Sequence, residues 1–172
     1  MLKKGYFILI IFVLNSFTIH TQESNEASIE IVTQEKIQGI ITLLEYSPDG
    51  RLIASGSEKE NSIKVWDVSS GKIIGKLEGH TDETTALSFN QDGTNLISSA
   101  KDNRVILWSI LDWEILDSLQ IDAPVNTFVI NSEQKNSFYS GSQSGKVHSW
   151  NDNNFREPEL LYMHSKAILK MD

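Results

Sequence analysis

The sequence predicts an all-β protein built from about three copies of one four-stranded unit. Tryptophans stand at intervals of 42 residues, at Trp66, Trp108 and Trp150. Two further landmarks keep nearly the same step, the tight-turn motifs at 47–50 and 90–93 and the small polar runs at 55–57, 98–100 and 140–142. Three landmarks in step indicate an internal repeat, and the repeat therefore sets the fold.

Each unit contains the pattern of four short strands, because β-branched and aromatic residues alternate with polar ones between turn signals about ten residues apart. In the second unit the predicted strands are Thr84 to Phe89, Asn95 to Ser99, Arg104 to Ser109 and Glu114 to Leu119. Apolar side chains two residues apart lie on one side of each strand, as a sheet requires. The turns carry Asp-Gly and Ser-Gly pairs that tolerate positive φ.

The motifs Lys64-Val65-Trp66-Asp67 and Ile106-Leu107-Trp108, with Gly79-His80 placed 28 residues before Trp108, resemble those of the WD-repeat β-propeller family. A period of about 40 to 45 residues with a Gly-His and a Trp-Asp is that family's signature. The likeness covers Ile29 to Asp172 and weakens outward from the second unit. It implies a partial β-propeller of about three four-stranded antiparallel WD-repeat blades in an incomplete ring, since propellers close with about 4 to 8 blades.

The resemblance divides the chain into a leader, three repeats and two short flanking segments. The expected boundaries are 1–22 for a signal peptide, 23–36 for a polar lead-in with a lone strand near 29–34, 37–78, 79–121 and 122–163 for the repeats, and 164–172 for the start of a fourth repeat with a lone strand near 167–171. His164 lies 14 residues after Trp150, as His80 lies 14 after Trp66. We therefore expect a fragment or truncated form of a larger propeller, with a ring of several copies as the alternative.

The resemblance also implies a buried, hydrogen-bonded tetrad, placed by position on His80, Ser98, Asp102 and Trp108. A buried indole N–H, imidazole and hydroxyl each need a partner, so such a tetrad ties the loop before the first strand to the second and third strands. The third unit has Asp122 in place of the histidine and Ser144 in place of the aspartate. We therefore expect the third blade to be less stable.

The same histidine, serine and aspartate are the side chains of a hydrolase triad, in which Ser98 is an activated nucleophile. The structural interpretation explains more, because it also accounts for Trp108 and for the fixed offsets from the repeat landmarks. The sequence has no Gly-x-Ser-x-Gly elbow. We therefore predict a protein that is not an enzyme.

No metal and no cofactor are predicted. The chain has no cysteine, and its histidines are far apart in sequence, at His20, His80, His148 and His164. None of the glycine-containing turns has a phosphate-cradling pattern.

The N-terminus predicts export. Lys3 and Lys4 precede an apolar run at 6–14 and a polar stretch at 18–25, which matches a secretory signal peptide. The alternative is an uncleaved membrane anchor, although the run is shorter than the roughly 20 residues that a spanning helix needs. The expected location is thus periplasmic or extracellular, with no spanning segment after removal of the signal.

Charge and fold together predict the kind of partner. The formal net charge of −8 and the lack of a basic stripe make nucleic acid an unsuitable ligand. The resemblance implies a scaffold that binds a protein or peptide through loops on one face, and self-association through exposed blade edges is a further expectation. The alternative function is the N-terminal part of an exported propeller enzyme whose active residues lie outside this chain.

Six residues are candidates for partner contact. The resemblance maps the partner-binding loops onto Lys59, Lys101, Gln143 and Glu83. Trp113 and Phe155 occupy the turn position held by Gly71 in the first unit, where aromatic side chains are able to anchor a partner. The alternative for both aromatics is packing onto their own hairpins.

Overall fold

The computed structural model describes residues 39–170, except 132, 135, 152 and 153. These residues form twelve β-strands and no helix. The strands are β1 (Ile41–Tyr46), β2 (Leu52–Ser57), β3 (Glu60–Asp67), β4 (Lys72–Leu77), β5 (Thr84–Phe89), β6 (Asn95–Ala100), β7 (Arg104–Ser109), β8 (Ile115–Gln120), β9 (Val125–Ile130), β10 (Ser137–Ser142), β11 (Lys146–Asn151) and β12 (Glu159–Met163).

The strands form three antiparallel sheets of four, each in sequential order: blade 1 (β1–β4), blade 2 (β5–β8) and blade 3 (β9–β12). The predicted all-β fold of about three blades in an unclosed ring is confirmed. The strand prediction for the second unit differs from the structure at three ends, since β6 extends to Ala100 and β8 runs from Ile115 to Gln120 rather than from Glu114 to Leu119.

The hairpin turns follow from the residues that occupy them. Gly50 and Gly93 have φ of 72° and 74°, a region that only glycine adopts without strain. The Gly50 N–H donates to the Ser47 carbonyl at 2.9 Å, and the Gly93 N–H donates to the Asn90 carbonyl at 3.0 Å. These turns join the first and second strands of blades 1 and 2.

Two hydrophobic cores lie between the blades rather than within them, because each sheet buries its faces against its neighbours. The first core joins blades 1 and 2 and includes Val65, Leu77, Phe89, Leu96 and Trp108. The second joins blades 2 and 3 and includes Ile97, Val105, Phe128, Phe138 and Trp150. Blade 2 is thus packed on both faces.

The first strands of blades 2 and 3 each begin against the second strand of the preceding blade. Thr84 lies over Gly56, where an added Cβ would approach the Thr84 Cβ to 3.3 Å. The Val125 N–H donates to the Ser99 hydroxyl at 3.0 Å. Ile168 repeats this contact on blade 3: it lies over Gly141, and its N–H donates to the Ser142 carbonyl at 3.0 Å.

Residues 167–170 nevertheless form no strand, so the lone strand predicted near 167–171 is not present in the part of it that the structure describes. The Asn126 side chain holds the segment by donating to the Ile168 carbonyl at 2.8 Å, as the Thr85 hydroxyl donates to the Val125 carbonyl at 2.6 Å one blade earlier. The segment around Ile168 therefore makes the same kind of contact with the preceding blade as the first residues of β5 and β9, although it is not itself a strand.

The turn between the third and fourth strands of a blade packs onto the preceding blade. Trp113 lies in this turn of blade 2, and a Cβ added at Gly75 of β4 would lie 2.5 Å from its ring. Trp113 has a φ of 61°, which costs a residue with a side chain about 1–2 kcal/mol. Its contact with the first core offsets that cost.

The N-terminal segment for which a signal peptide and a lone strand near 29–34 are predicted lies outside the described residues. Within residues 39–170, and apart from the four gaps, no helix has the length and hydrophobicity to cross a membrane.

We predict that Gly75→Ala destabilises the protein by about 1–3 kcal/mol, because the new methyl group overlaps the Trp113 ring and a packed core resists added volume. Urea unfolding measures the cost. In a Trp113→Ala background the same change is expected to cost less, since the ring is gone. An equal cost in both backgrounds would show that Trp113 and Gly75 are not coupled.

Candidate functional site

Blade 2 brings His80, Ser98, Asp102 and Trp108 together in one chain of hydrogen bonds. His80 lies in the loop before β5, Ser98 on β6, Asp102 in the β6–β7 turn and Trp108 on β7. The Trp108 Nε1 lies 2.7 Å from the Ser98 Oγ, which lies 2.8 Å from the His80 Nε2. The His80 Nδ1 lies 2.9 Å from the Asp102 Oδ2. This series of hydrogen bonds therefore joins one loop, one turn and two strands of blade 2.

The donors and acceptors allow only one direction along this chain. The indole N–H of Trp108 can only donate, so the Ser98 oxygen accepts from it. An ionised Asp102 can only accept, so a neutral His80 uses Nδ1 as its donor and leaves Nε2 to accept from the Ser98 hydroxyl. His80 then carries its proton on Nδ1 and donates to Asp102. Asp102 also accepts from the Thr81 N–H at 2.9 Å. A neutral histidine in this tautomer satisfies every group.

Burial and hydrogen bonding together set the ionisation of His80 and Asp102. The side chains of His80 and Asp102 are 0% and 5% exposed. Burial lowers the pKa of His80, and the hydrogen bond to Asp102 opposes this shift only in part. Burial alone raises the pKa of Asp102, but hydrogen bonds from the Thr81 N–H and from His80 outweigh it and hold the pKa below its usual value. The site therefore favours a neutral histidine beside a carboxylate.

The arrangement has the connectivity of a hydrolase triad but not its accessibility. Ser98 is 0% exposed, and its oxygen already accepts the Trp108 N–H. A catalytic nucleophile needs an open position about 3 Å from its oxygen, in which the substrate atom that it attacks can lie. The geometry of Ser98 thus suits a structural hydrogen bond rather than attack on a substrate.

Blades 1 and 3 keep the tryptophan–serine bond and replace the rest. The Trp66 Nε1 donates to the Ser55 Oγ at 2.9 Å, and the Trp150 Nε1 donates to the Ser140 Oγ at 2.7 Å. Near the same positions, blade 1 has the largely buried Lys64–Glu60 ion pair at 2.8 Å. Blade 3 has the Lys146–Asp122 ion pair at 2.8 Å and the Ser142–Ser144 hydrogen bond at 2.9 Å. Within the part of the chain that the structure describes, blade 2 alone joins all four side chains in series.

The residues predicted to contact a partner fall into two groups, and the first lies at one end of the blades. A backbone bond repeats there, from Glu58 N to Ile40 O at 3.0 Å, from Lys101 N to Glu83 O at 2.9 Å and from Gln143 N to Pro124 O at 2.9 Å. We call this end, formed by Glu58, Lys59, Glu83, Lys101 and Gln143, the loop face.

The repeated bond places Glu58, rather than the predicted Lys59, at the position of Lys101 and Gln143. The extra residue of the first unit lies after this position, so Lys59 is one step further along the turn. Sequence reasoning missed Glu58 because the insertion at 58–61 was not located within the turn.

Lys101 is the most strongly paired side chain of the loop face. Its ammonium lies 2.5 Å from a Glu83 carboxylate oxygen. This hydrogen bond, and after it the negative charges of Glu83, Asp82 and Glu58, raise the pKa of Lys101. Carboxylates from blades 1 and 2 therefore surround one lysine at the loop face.

The second group, Trp113 and Phe155, lies between blades. Phe155 is 3% exposed and packs on Trp150 with ring centroids 5.4 Å apart. Trp113 is half-buried over Gly75 of the preceding blade. Both rings thus pack across a blade junction, which removes Phe155 from any partner surface and leaves Trp113 only partly accessible.

Comparisons with known proteins agree with this geometry. The family described as "WD domain, G-beta repeat" matches residues 33–67 and 71–109. WD repeat-containing protein 18 of Danio rerio is 32% identical over 93 residues, which are 53% of this chain and 21% of that protein. Pre-mRNA-processing factor 19 homolog 2 of Arabidopsis thaliana is 38% identical over 69 residues, 40% of this chain and 13% of that protein.

Solved structures show the same fold. The structure of U3-55K superposes with a TM-score of 0.70 at 24% identity and covers 77% of this chain and 42% of its own. The β-propeller domain of Myceliophteria thermophila Cps50 (Swd1) gives a TM-score of 0.61 at 23% identity, with 74% and 40% covered. The chain belongs to the WD-repeat β-propeller family. It spans 21% or less of the length of the curated relatives cited here.

The prediction of export by a signal peptide is wrong. The curated relatives are intracellular proteins, among them one named for pre-mRNA processing, and this conflicts with a periplasmic or extracellular location. The apolar run at 6–14 suggested export because it follows two lysines, but that pattern alone does not distinguish a cleaved leader from another apolar segment.

We predict that Ser98→Ala destabilises the protein more than Ser140→Ala. The first change leaves both Trp108 Nε1 and His80 Nε2 without a partner, and the second leaves only Trp150 Nε1. Each unpaired buried group costs about 1–3 kcal/mol, so we expect about 3 kcal/mol for Ser98→Ala and about half of that for Ser140→Ala. Urea unfolding of the two matched variants measures the difference, and equal costs would contradict the series arrangement.

We also predict a stability loss in mild acid that depends on His80. Its pKa is lower in the folded than in the unfolded chain, so the unfolded chain binds more protons as the pH falls below about 6.5. The contribution of neutral His80 to the free energy of unfolding is therefore complete above about pH 6.5. It is lost as the pH falls through the pKa of His80 in the folded chain. Unfolding free energies of the wild type and His80→Asn between pH 8 and 5 test this, and parallel curves would exclude the effect.

Proposed function

We propose that this protein is a non-catalytic scaffold that binds a protein or peptide partner at the loop face. The observation that carries the proposal is the repeated backbone bond at this end of each blade. It holds the β2–β3, β6–β7 and β10–β11 turns against the loops that enter the first strands. Exposed side chains therefore project from one end of a rigid framework, which is the usual design of a binding surface.

The charges of the loop face support a polar partner. Glu58, Asp82 and Glu83 lie close enough to Lys101 to affect its ionisation, and Gln143 extends the surface to blade 3. Charges arranged in this way contribute to specificity and to the rate of encounter more than to affinity. The net charge of −8 is consistent with a protein partner rather than with nucleic acid.

The relatives support a scaffold rather than a shared reaction. They include proteins named for pre-mRNA processing and for stress, which have the repeat in common. The buried Ser98 supports the same proposal, because the one triad-like cluster in the described chain is closed to solvent.

Site-specific photo-crosslinking tests the loop face. A photoreactive residue is placed at Gln143 and, as a matched control, at Gln91, which is equally polar and lies in the exposed turn at the opposite end of blade 2. We expect a discrete crosslinked polypeptide from Gln143 and none from Gln91, with the yield reduced by the exposed-surface change Lys59→Glu. Crosslinks that are equal at both sites, or absent from Gln143, would argue against a partner at this face.

A further inference from the structure

The outer edges of blades 1 and 2 carry exposed apolar residues at matching positions. The edge strands are β4 in blade 1 and β8 in blade 2. Each strand has a bulge at the same step, because the strand pairing skips Ile74 in β4 and Leu116 in β8. Ile74 is 44% exposed and Leu116 is 53% exposed. Two neighbouring blades therefore each present one apolar side chain at the same height of the outer edge.

The charges beside these apolar residues have opposite signs in the two blades. Lys72 follows Gly71, and Glu114 follows Trp113. Gly71 and Trp113 have nearly the same φ, 64° and 61°, and each donates its N–H to the carbonyl four positions earlier, so the two turns match. Lys72 and Glu114 are exposed, and neither side chain makes a hydrogen bond or ion pair with a described residue. A cation and a carboxylate thus occupy equivalent positions.

The turn of blade 2 is apolar and acidic where the turn of blade 1 is polar and uncharged. Leu111 and Asp112 stand at the positions of Ser69 and Ser70. Leu111 is 84% exposed, so packing within the described chain does not account for it. The backbone of the turn does not require a leucine either, because blade 1 forms the same turn with a serine.

Trp113 lies between the two edges. Its ring packs over Gly75 of β4 but is only half-buried, and its φ carries a strain that glycine would avoid. The other three tryptophans donate to serines, whereas the Trp113 indole makes no hydrogen bond in the part of the chain described. We call the surface around this ring the rim patch; it consists of Lys72, Ile74, Leu111, Trp113, Glu114 and Leu116.

The junction of blades 1 and 2 does not need Glu114. The matching residue in blade 3 is Arg156, which binds Asp117 of blade 2 at 2.9 and 3.0 Å. The residue of β4 that corresponds to Asp117 in the strand pairing is Gly75, which has no side chain. Glu114 therefore has no partner on the preceding blade, and its carboxylate is available to another molecule.

We propose that the rim patch joins two copies of this chain about a two-fold axis that passes between blades 1 and 2, parallel to the axis around which the blades are arranged. Such an axis places blade 1 of one copy against blade 2 of the other at equal height. Lys72 then meets Glu114 of the partner subunit, and Ile74 meets Leu116 of the partner subunit, each contact occurring twice. Trp113 lies near the axis, where its exposed side is covered.

The opposite signs favour a second copy over other occupants. A basic peptide complements Glu114 but is repelled by Lys72, and an acidic peptide is repelled by Glu114 and Asp112. A surface with both signs at equivalent positions is complementary to itself, which is the condition for a two-fold interface. The patch is small, so the association is weak and reversible.

This dimer does not rest on partner binding at the loop face. It does have a consequence for that face, because an axis parallel to the blade axis points both loop faces in the same direction. Two copies of a repeated partner are then held together by two loop faces at once, and the second contact forms at a high effective concentration.

Sedimentation velocity of the full 172-residue chain over a range of concentrations measures the association. We expect a reversible equilibrium between monomer and dimer. Glu114→Lys and Lys72→Glu each put like charges at both symmetric contacts and are expected to raise the dissociation constant about tenfold or more. Glu133→Lys, the same charge change in the exposed β9–β10 turn, is expected to leave the dissociation constant unchanged.

A charge exchange makes the test specific to the pair. An equimolar mixture of the Glu114→Lys and Lys72→Glu variants is expected to form a heterodimer, because both contacts again join opposite charges. Leu116→Ser keeps the charges and is expected to weaken the wild-type dimer, with urea unfolding as the check that each variant is folded. The proposal is overturned if the wild type is monomeric throughout, if Glu114→Lys dimerises as strongly as the wild type, or if the two mixed variants do not associate.

Discussion

The packing of one blade on the next is the interaction on which the rest of this structure depends. A four-stranded sheet has two faces and is too small to bury either of them alone. The largest buried side chains, Trp108, Trp150, Phe89 and Phe138, accordingly lie at blade junctions. Apolar burial at about 25 cal/mol per Å² makes these junctions the main source of stability. The strands, turns and outer contacts all serve to align one face with the next.

Hydrogen bonds give this packing its specificity. In each blade a tryptophan donates its N–H to a serine on the neighbouring strand, through Ser55, Ser98 and Ser140, and the tryptophans of blades 2 and 3 also fill the blade junctions. The indole therefore has one orientation rather than several, since turning it would leave a buried donor unpaired. Blade 2 extends the bond to a histidine and an aspartate, so its first loop is fixed by the same network that orients its core tryptophan.

The internal repeat made the strands and the hydrogen-bonded side chains of blade 2 predictable from the sequence. A spacing of 42 residues located the strands and placed four distant side chains that the structure joins in one chain. Contacts between blades were harder to predict, because no local pattern links Trp113 to Gly75 across 38 positions. The glycine in the middle of β4 was a usable signal, since such a residue often marks a close approach. The position of Glu58 was missed because a one-residue insertion shifts the turn without changing its composition.

Hydrogen–deuterium exchange of individual amides tests the account most directly. If burial between blades determines stability, the backbone amide hydrogens of the central strands of blade 2 exchange more slowly than those of blade 3. The reason is that, among the described blades, only blade 2 is packed on both faces. We expect the amides of Ile97 and Val105 to be more protected than those at the matching positions, Tyr139 and Val147, which are half-exposed. Equal protection in the two blades, or slower exchange in blade 3, would contradict it.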